Sequence, residues 1–363
     1  MMNEQITATE FLKFLEHDEK LLMLDVRSED EYAKGSIPQS INIPILNNSH
    51  RKTVGITYKM MGQDAAIRIG HELVSPIQET IINSWRSSLQ PFSEERRFLF
   101  CWRGGLRSQM ATQWLLESGF RTRRVAGGYK ALRHELHHAL TTNFDLILLT
   151  GLTGSGKTKL LQRFSKTEQL DLEAFALHRG SAFGPVVGHG QPSQQTFENL
   201  LGLRLYTPSP LYVVEHEGRC IGKILIPQPF LEKMNQAPLV FLEKSMEERV
   251  NHIYCEYVEI PLSTGTVTVH TLRDILLSQL LRIKRRLGGA HYGDIEKAML
   301  TAFECAPTPS AHSSWIRDLL LHYYDRQYNH AIAHAPSPII FRGSEEACVE
   351  FLQERLRCAH NNR

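Results

Sequence analysis

Short apolar runs alternate along this chain with longer stretches whose apolar residues recur at helical spacing. "LLMLDV" (21–26) and "RRFLFC" (96–101) are nearly continuous apolar runs of strand length, the pattern of strands buried on both faces of a parallel sheet. Between them, "GSIPQSINIP" (35–44) places Gly and Pro ahead of alternating isoleucines, which predicts a turn leading into a further strand. Beyond Cys101, Met110, Trp114 and Leu115 keep helical spacing up to a stop at Gly119, and "RRVAGGYKAL" adds a strand and a turn. The alternation resumes with "FDLILLTGLTGSGKTKLLQRF", a strand, loop and helix, and continues in "LYVVE", "PLVFLE" and "PIIFRG" around a long helical middle that includes 272–289. Strands alternating with helices predict an α/β fold.

A chain of 363 residues exceeds what one hydrophobic core usually holds. A polar, His-rich, helix-compatible stretch at 132–143 separates the two patterned regions, so the expected division is 1–140 and 141–363, the second domain carrying a helical insertion. No apolar stretch approaches the roughly 18 residues of a membrane span. The N-terminus lacks the basic region and apolar run of a signal peptide, and the six cysteines show no close CxxC pairing. A reduced cytoplasmic setting without membrane is the expectation. Lys and Arg number 41 against 39 Asp and Glu, so overall charge announces no nucleic acid and local patches must carry that case.

Two loops are built for anions. "GLTGSGKT" matches G-x-x-x-x-G-K-[ST] without gaps between an apolar strand and an amphipathic helix. Gly151, Gly154 and Gly156 let N–H groups, that of Ser155 among them, converge on phosphate oxygens, and Lys157 adds a mobile positive charge. Thr158 would hold Mg²⁺ should a nucleotide bind. "LYVVEHEG" ends its strand on Glu215 rather than on an aspartate, and no guanine-reading NKxD occurs. A diphosphate other than ATP therefore stays open.

In "CWRGGLRS", Cys101 ends a strand and Arg107 and Ser108 open a helix. The helix N-terminus and the flanking Arg103 and Arg107 favour thiolate over thiol. Gly104 and Gly105 free the loop amides to cradle a tetrahedral anion. The C-x5-R-S spacing serves a cysteine-dependent phosphatase or a sulfurtransferase that carries a chalcogen atom; Phe100 stands where a histidine would precede the cysteine, and no general-acid Asp follows in the loop, which weighs against the phosphatase.

"LDVRSEDEYAKGSIPQSINIP", "CWRGGLRS" and "VAGGYKAL" resemble a rhodanese domain, and a rhodanese joined to a P-loop domain resembles the tRNA 2-selenouridine synthase family. "VGITYKMMGQDAA" (54–66), "DLEAFALHRGSAFG" (171–184), "SQQTFENLL" (193–201), "IKRRLGG" (283–289) and, more faintly, "YYDRQY" (323–328) agree with it. The resemblance spans nearly the whole chain. It implies a tRNA-modifying transferase: 2-thiouridine at the wobble position of Lys-, Glu- and Gln-reading tRNAs is S-geranylated with geranyl diphosphate, then selenated with selenophosphate. It further implies that Cys101 carries or positions selenium, with Arg103, Gly104, Gly105, Arg107 and Ser108 binding selenophosphate, and that Gly151, Gly154, Ser155, Gly156, Lys157 and Thr158 hold the diphosphate. An enzyme supplying selenophosphate is the implied protein partner; no tightly bound cofactor or metal site is expected, with Mg²⁺ left open. Two positions depart from the family pattern: His50 stands beside Arg51 where an acidic residue is usual, and "EHEG" (215–218) replaces E-D-E-S, leaving Glu215 or Glu217 to serve for the missing aspartate. The rivals are a rhodanese sulfurtransferase or phosphatase fused to an unrelated P-loop ATPase, and a non-catalytic binding module with an inert Cys101.

Basic clusters at Arg121, Arg123 and Arg124 and at Lys284, Arg285 and Arg286 would on their own be solvated faces; a tRNA substrate makes them the expected backbone contacts. Trp102 could stack on a wobble base or pack under its loop. His178 and Arg179 fall in a family-matching stretch, as contacts to substrate or as residues of a turn. "HELHH" matches H-E-x-x-H at His134, Glu135 and His138 without an evident third ligand and reads as a solvated linker helix rather than a zinc site.

Overall fold

The computed structural model describes residues 5–17, 20–179, 183, 190–206, 209–265, 267–305, 307–328 and 337–361. They form two compact units, 1–142 with 192–208, and 143–191 with 209–363.

The first unit is a parallel sheet of β1 (Gln5–Ile6), β2 (Leu22–Asp25), β3 (Ser40–Asn42), β4 (Arg97–Phe100) and β5 (Arg123–Val125), in the order β1-β5-β4-β2-β3. Leu24 stands opposite Leu99, and Asp25 opposite Phe100. Successive side chains of a strand point to opposite faces, so each continuous apolar run feeds two cores. Met23, Phe98 and Phe100 face α1 (Ala8–His17) and α7 (Gly128–Ala139), packing with Phe11, Leu12 and Leu132. Leu22, Leu24 and Leu99 face the other way, against Trp85, Ala111 and Leu115, residues of α5 (Gln78–Leu89) and α6 (Leu106–Glu117). α2 (Glu29–Lys34) follows β2 and opens on a capping box between Ser28 and Glu31. α3 (Asn48–Met61) and α4 (Gln63–Val74) form a hairpin through Gly62, whose φ of +83° suits glycine. That hairpin contains the whole "VGITYKMMGQDAA" stretch, and apolar periodicity does not announce it because α3 buries none of its residues.

The second unit repeats the plan. Its parallel sheet has the order β12-β11-β6-β8-β7, from β6 (Asp145–Thr150), β7 (Gln169–Leu170), β8 (Leu211–Glu215), β11 (Leu239–Leu242) and β12 (Ile339–Gly343). α8 (Lys157–Leu161) and α9 (Leu172–Ala176) follow β6 and β7. The chain then gives α10 (Gln194–Tyr206) to the first unit, where it packs on α7 so closely that a Cβ at Gly202 would meet the Leu136 carbonyl oxygen at 2.2 Å. The Asn199 amide donates to Ser36 O at 2.8 Å, and Arg133 pairs with Glu198. The "SQQTFENLL" stretch thus belongs to the first unit although it lies beyond residue 141. A β9–β10 hairpin (Cys220–Ile221, Ile224–Leu225) and α11 (Gln228–Gln236) lead to β11. Between β11 and β12 lies the helical insertion: α12 (Met246–Tyr254), α13 (Ile260–Ser263), α14 (Val269–Leu287), α15 (Gly289–Glu304) and α16 (Pro309–Leu319), around Leu276, Leu280, Met299, Trp315 and Ile316. α17 (Glu345–Asn361) returns to the sheet. No helix among the described residues is long and apolar enough to cross a membrane.

Candidate functional sites: a thiol loop and a phosphate loop

Cys101 follows β4 directly and is buried, its Sγ 3.2 Å from Ser108 Oγ. Ser108 Oγ in turn donates to Gly105 O at 3.0 Å. The thiol therefore sits at the head of α6. Gly104 takes φ +66°, and its carbonyl accepts from Arg124 Nη1 at 2.5 Å. The "VAGGYKAL" turn clamps the loop from below: Tyr129 N–H donates to Cys101 O at 2.9 Å and Lys130 N–H to Trp102 O at 3.0 Å. Gly128, at φ +58°, lies where a Cβ would come within 2.1 Å of Cys101 O, so only glycine fits. Trp102 stacks on Tyr129 with ring centres 5.3 Å apart and keeps 36% of its surface exposed. Tyr129 also lies under the Arg27 guanidinium at 3.8 Å, and Arg27 forks onto the fully buried Asp25. Burial pushes the Asp25 carboxyl up, with Arg27 opposing it.

Among the loop residues expected to bind an anion, Arg103 is exposed, and Arg107 is engaged by a protein carboxylate. Burial would raise the Glu31 carboxyl, but the paired Arg107 guanidinium overrides it and holds it down at about 2. Arg51 lies 3.9 Å from the same carboxylate. The sequence offered no sign of this pairing across 76 positions.

The phosphate loop joins β6 to α8. Gly154 and Gly156 take φ of +82° and +85°, and Lys157 Nζ folds back to donate to Gly151 O at 3.0 Å. Ser155 Oγ is buried with no hydrogen-bond partner. The helical insertion braces the loop. Arg249, buried, donates from Nε to Thr153 O at 2.8 Å while its other nitrogens grip Asp325 at 3.0 and 2.5 Å. Tyr328 Oη accepts from Gly151 N–H at 2.5 Å and is hydrogen-bonded to Thr150 Oγ1. Arg249 escaped sequence reasoning altogether; Asp325 and Tyr328 were visible only as the faint "YYDRQY" echo.

Glu215 ends β8, the strand beside β6, so it stands next to the loop. Burial pushes its carboxyl up, against Lys157 and the Thr158 hydroxyl. Burial, and then the Glu215 charge, push Glu217 up to about 7. One carboxylate oxygen from each of Glu173, Glu215 and Glu217 lies within 4.8 Å of the others, and Glu215 Oε1 is buried without a hydrogen-bond partner. Three hard oxygen donors with an unsatisfied buried oxygen suit Mg²⁺. His216 places Nδ1 3.1 Å from Thr150 Oγ1; its burial, then Lys157, lower its affinity for a proton.

The basic clusters divide. Arg121 is exposed, but Arg124 is committed to Gly104 and Arg123 lies over Phe98 and Phe14 at 5.1 and 5.4 Å. Lys284, Arg285 and Arg286 line the exposed last turn of α14, Lys284 resting 4.5 Å over Tyr292. His178 is buried with Nδ1 unpartnered, and Arg179 pairs with Glu256 at 3.1 Å; Gly180–Ala182 and Gly184 of that stretch lie outside the described residues. His134 and His138 sit exposed on α7. Among the described residues, the glutamate trio alone brings three ligating side chains together.

Fold and loops define a two-domain enzyme of rhodanese-plus-P-loop type. Residues 7–135 match the model of the rhodanese-like domain, and 144–359 that of the tRNA 2-selenouridine synthase AAA domain. A tRNA 2-selenouridine synthase of Marinobacter nauticus is 39% identical over 92% of this chain and 94% of its own. Those of Pseudomonas savastanoi pv. phaseolicola and Shewanella denitrificans are 37% and 35% identical over the same shares. The chain belongs to the tRNA 2-selenouridine synthase family.

Proposed function

We propose that this enzyme replaces the sulfur of wobble 2-thiouridine in tRNA by selenium in two steps, one at each loop. In the first, the thiouridine sulfur attacks C1 of geranyl diphosphate, the C–O bond breaks, diphosphate leaves and the base gives up its N3 proton. Lys157, the Ser155 and Thr158 hydroxyls and the loop amides would offset the charge growing on the departing diphosphate. Glu173, Glu215 and Glu217 would hold Mg²⁺, which when bound supplies charge neutralisation for such a leaving group.

In the second step selenium of selenophosphate attacks C2 of the S-geranyl base, geranylthiol leaves with one proton, and water cleaves the Se–P bond to release phosphate and return the N3 proton. Alkylation matters because a thiocarbonyl sulfur leaves poorly whereas an alkylated sulfur departs as a thiol. Cys101 would position the selenium, and the loop amides would hold its phosphate. The observation that carries the reading is the Cys101 sulfur fixed beside Ser108 at the head of α6, in a family whose similar members are named for 2-selenouridine synthesis. The reading extends to Lys-, Glu- and Gln-type tRNAs in the cytoplasm, and to an enzyme that hands over selenophosphate.

The test is mass spectrometry of tRNA nucleosides after incubation with 2-thiouridine tRNA, geranyl diphosphate and selenophosphate, omitting each donor in turn. S-geranyl-2-thiouridine is expected with geranyl diphosphate alone and 2-selenouridine with both. Formation of 2-selenouridine without the prenyl donor, or no product at all, overturns the reading.

A further inference from the structure

The first unit holds a cavity of about 370 Å³ between α3, α4 and the first turns of α6. Its wall is mainly apolar, with Ile45, Leu46, Val54, Ile67, Val74 and Met110 among the lining residues. Arg51 and Arg107, the two cations that face Glu31, line it as well. Ile45, Leu46 and Val74 belong to the same hydrophobic cluster as Cys101, with Val54 and Met110 packed against it. The thiol and the cavity therefore draw on one hydrophobic cluster.

The cavity opens to solvent between the exposed Arg51, Tyr58, Gln63, His71 and Leu106, so its aliphatic wall is a concave apolar surface of the kind that binds small ligands. The hairpin beside it also keeps large apolar groups in water: Tyr58 is 57% exposed and Met60 78%, and Leu106, on the cavity wall, is exposed too. An apolar wall that includes the adaptable Met110 suits a flexible hydrocarbon. The volume lies at the low end of small-ligand sites, which run roughly 300–1,000 Å³, room for one or two isoprene units rather than a lipid tail.

We propose that this cavity receives the isoprenoid chain of an S-alkylated 2-thiouridine and so presents C2 of the base to the Cys101 loop. The assignment rests on the S-geranyl intermediate of the preceding section. It places the departing hydrocarbon in the rhodanese unit. Arg107, at the same cavity, is held by Glu31, so the assignment rests on the apolar wall and not on charge.

The test measures binding of the full chain to tRNA carrying 2-thiouridine or its S-methyl, S-dimethylallyl or S-geranyl derivative, by fluorescence anisotropy without either donor. Affinity is expected to rise with chain length, S-geranyl exceeding S-methyl by about tenfold to a hundredfold. Val54→Phe and Ile67→Phe, which fill the space, should erase most of that preference and leave S-methyl binding unchanged. An S-linked geranyl analogue bearing a diazirine should crosslink wild-type protein within 45–74 or 106–110, whatever the variants do. No chain-length preference in the wild type, an undiminished preference in folded variants, or crosslinks confined elsewhere overturn the proposal. The nucleoside assay fails separately: a chain that makes no S-geranyl product loses the two-step reading, while the binding series still reports on the cavity.

Discussion

Arg107 and Glu31 form a two-point ion pair, Nη1 to Oε2 at 2.6 Å and Nη2 to Oε1 at 3.0 Å, that ties the active loop's helix to the capping box of α2. Both side chains are less than a fifth exposed, so the pair is worth more than a surface bridge. Glu31 titrates at about 2 in the folded chain against an ordinary 4.5. Its contribution is therefore fully present above pH 4.5 and lost as pH falls toward 2, about 2 kcal/mol once partial exposure is discounted. Glu31→Gln should lower stability by that order at pH 7, and the gap from wild type should close progressively below pH 4.5. Urea unfolding at pH 7 and 3.5 checks it; an equal gap at both would mean that the carboxylate charge is not what stabilises.

Cys101 and Ser108 give a kinetic prediction. Cys101→Ser should abolish 2-selenouridine while S-geranyl-2-thiouridine still accumulates, because the proposed prenyl step is assigned to the other loop. Ser108→Ala removes the hydroxyl 3.2 Å from the sulfur; losing a hydrogen bond of about 1 kcal/mol should slow selenation about five- to tenfold. Single-turnover selenation of S-geranyl tRNA is the measurement, and full activity of Cys101→Ser would show that the thiol takes no part in selenation.

Arg124 and Lys284 were alike as sequence and differ as structure. Arg124→Ala releases the Gly104 carbonyl and should slow selenation with little change in tRNA affinity. Lys284→Ala, Arg285→Ala and Arg286→Ala together should weaken tRNA binding and flatten its dependence on salt, the slope falling by about one for every phosphate that is no longer neutralised. Binding titrations across salt concentrations separate the two; a flattened slope in Arg124→Ala would restore it to the nucleic-acid surface.

These contrasts mark how far the sequence was legible. β2, β4, β6 and β8 were plain because both faces of each are buried, which writes a continuous apolar run. Both loops were plain because glycines and their flanking strand and helix are local features. What sequence could not supply was distance: Glu31 meets Arg107, and Arg249 meets Asp325, across 76 positions each. Glu173 joins Glu215 only because β7 and β8 are neighbours. The α3–α4 hairpin stayed silent for another reason. α3, which lines the cavity, buries none of its residues and so lacks the regular burial that periodicity detects.

Glu217 makes the phosphate-loop site sensitive to pH. With a folded value of about 7 against an ordinary 4.5, it holds a proton in the native chain that the unfolded chain releases, so stability from this group is present below pH 4.5 and is lost as pH rises to about 7. A divalent cation needs the carboxylate ionised and must displace that proton, so its binding should strengthen as pH rises and level off above about 7. Mg²⁺ should therefore raise the thermal midpoint more at pH 8 than at pH 6. Glu217→Gln has no proton to displace, so it should bind Mg²⁺ more weakly at pH 8 and lose much of the pH dependence, while Glu215→Gln, which removes the buried and unpartnered oxygen donor, should weaken binding at every pH. Midpoint shifts measured at the two pH values with Mg²⁺ and with Ca²⁺, in the absence of any prenyl donor, decide it: equal shifts at pH 6 and 8 in wild type would mean the cation binds away from the three glutamates.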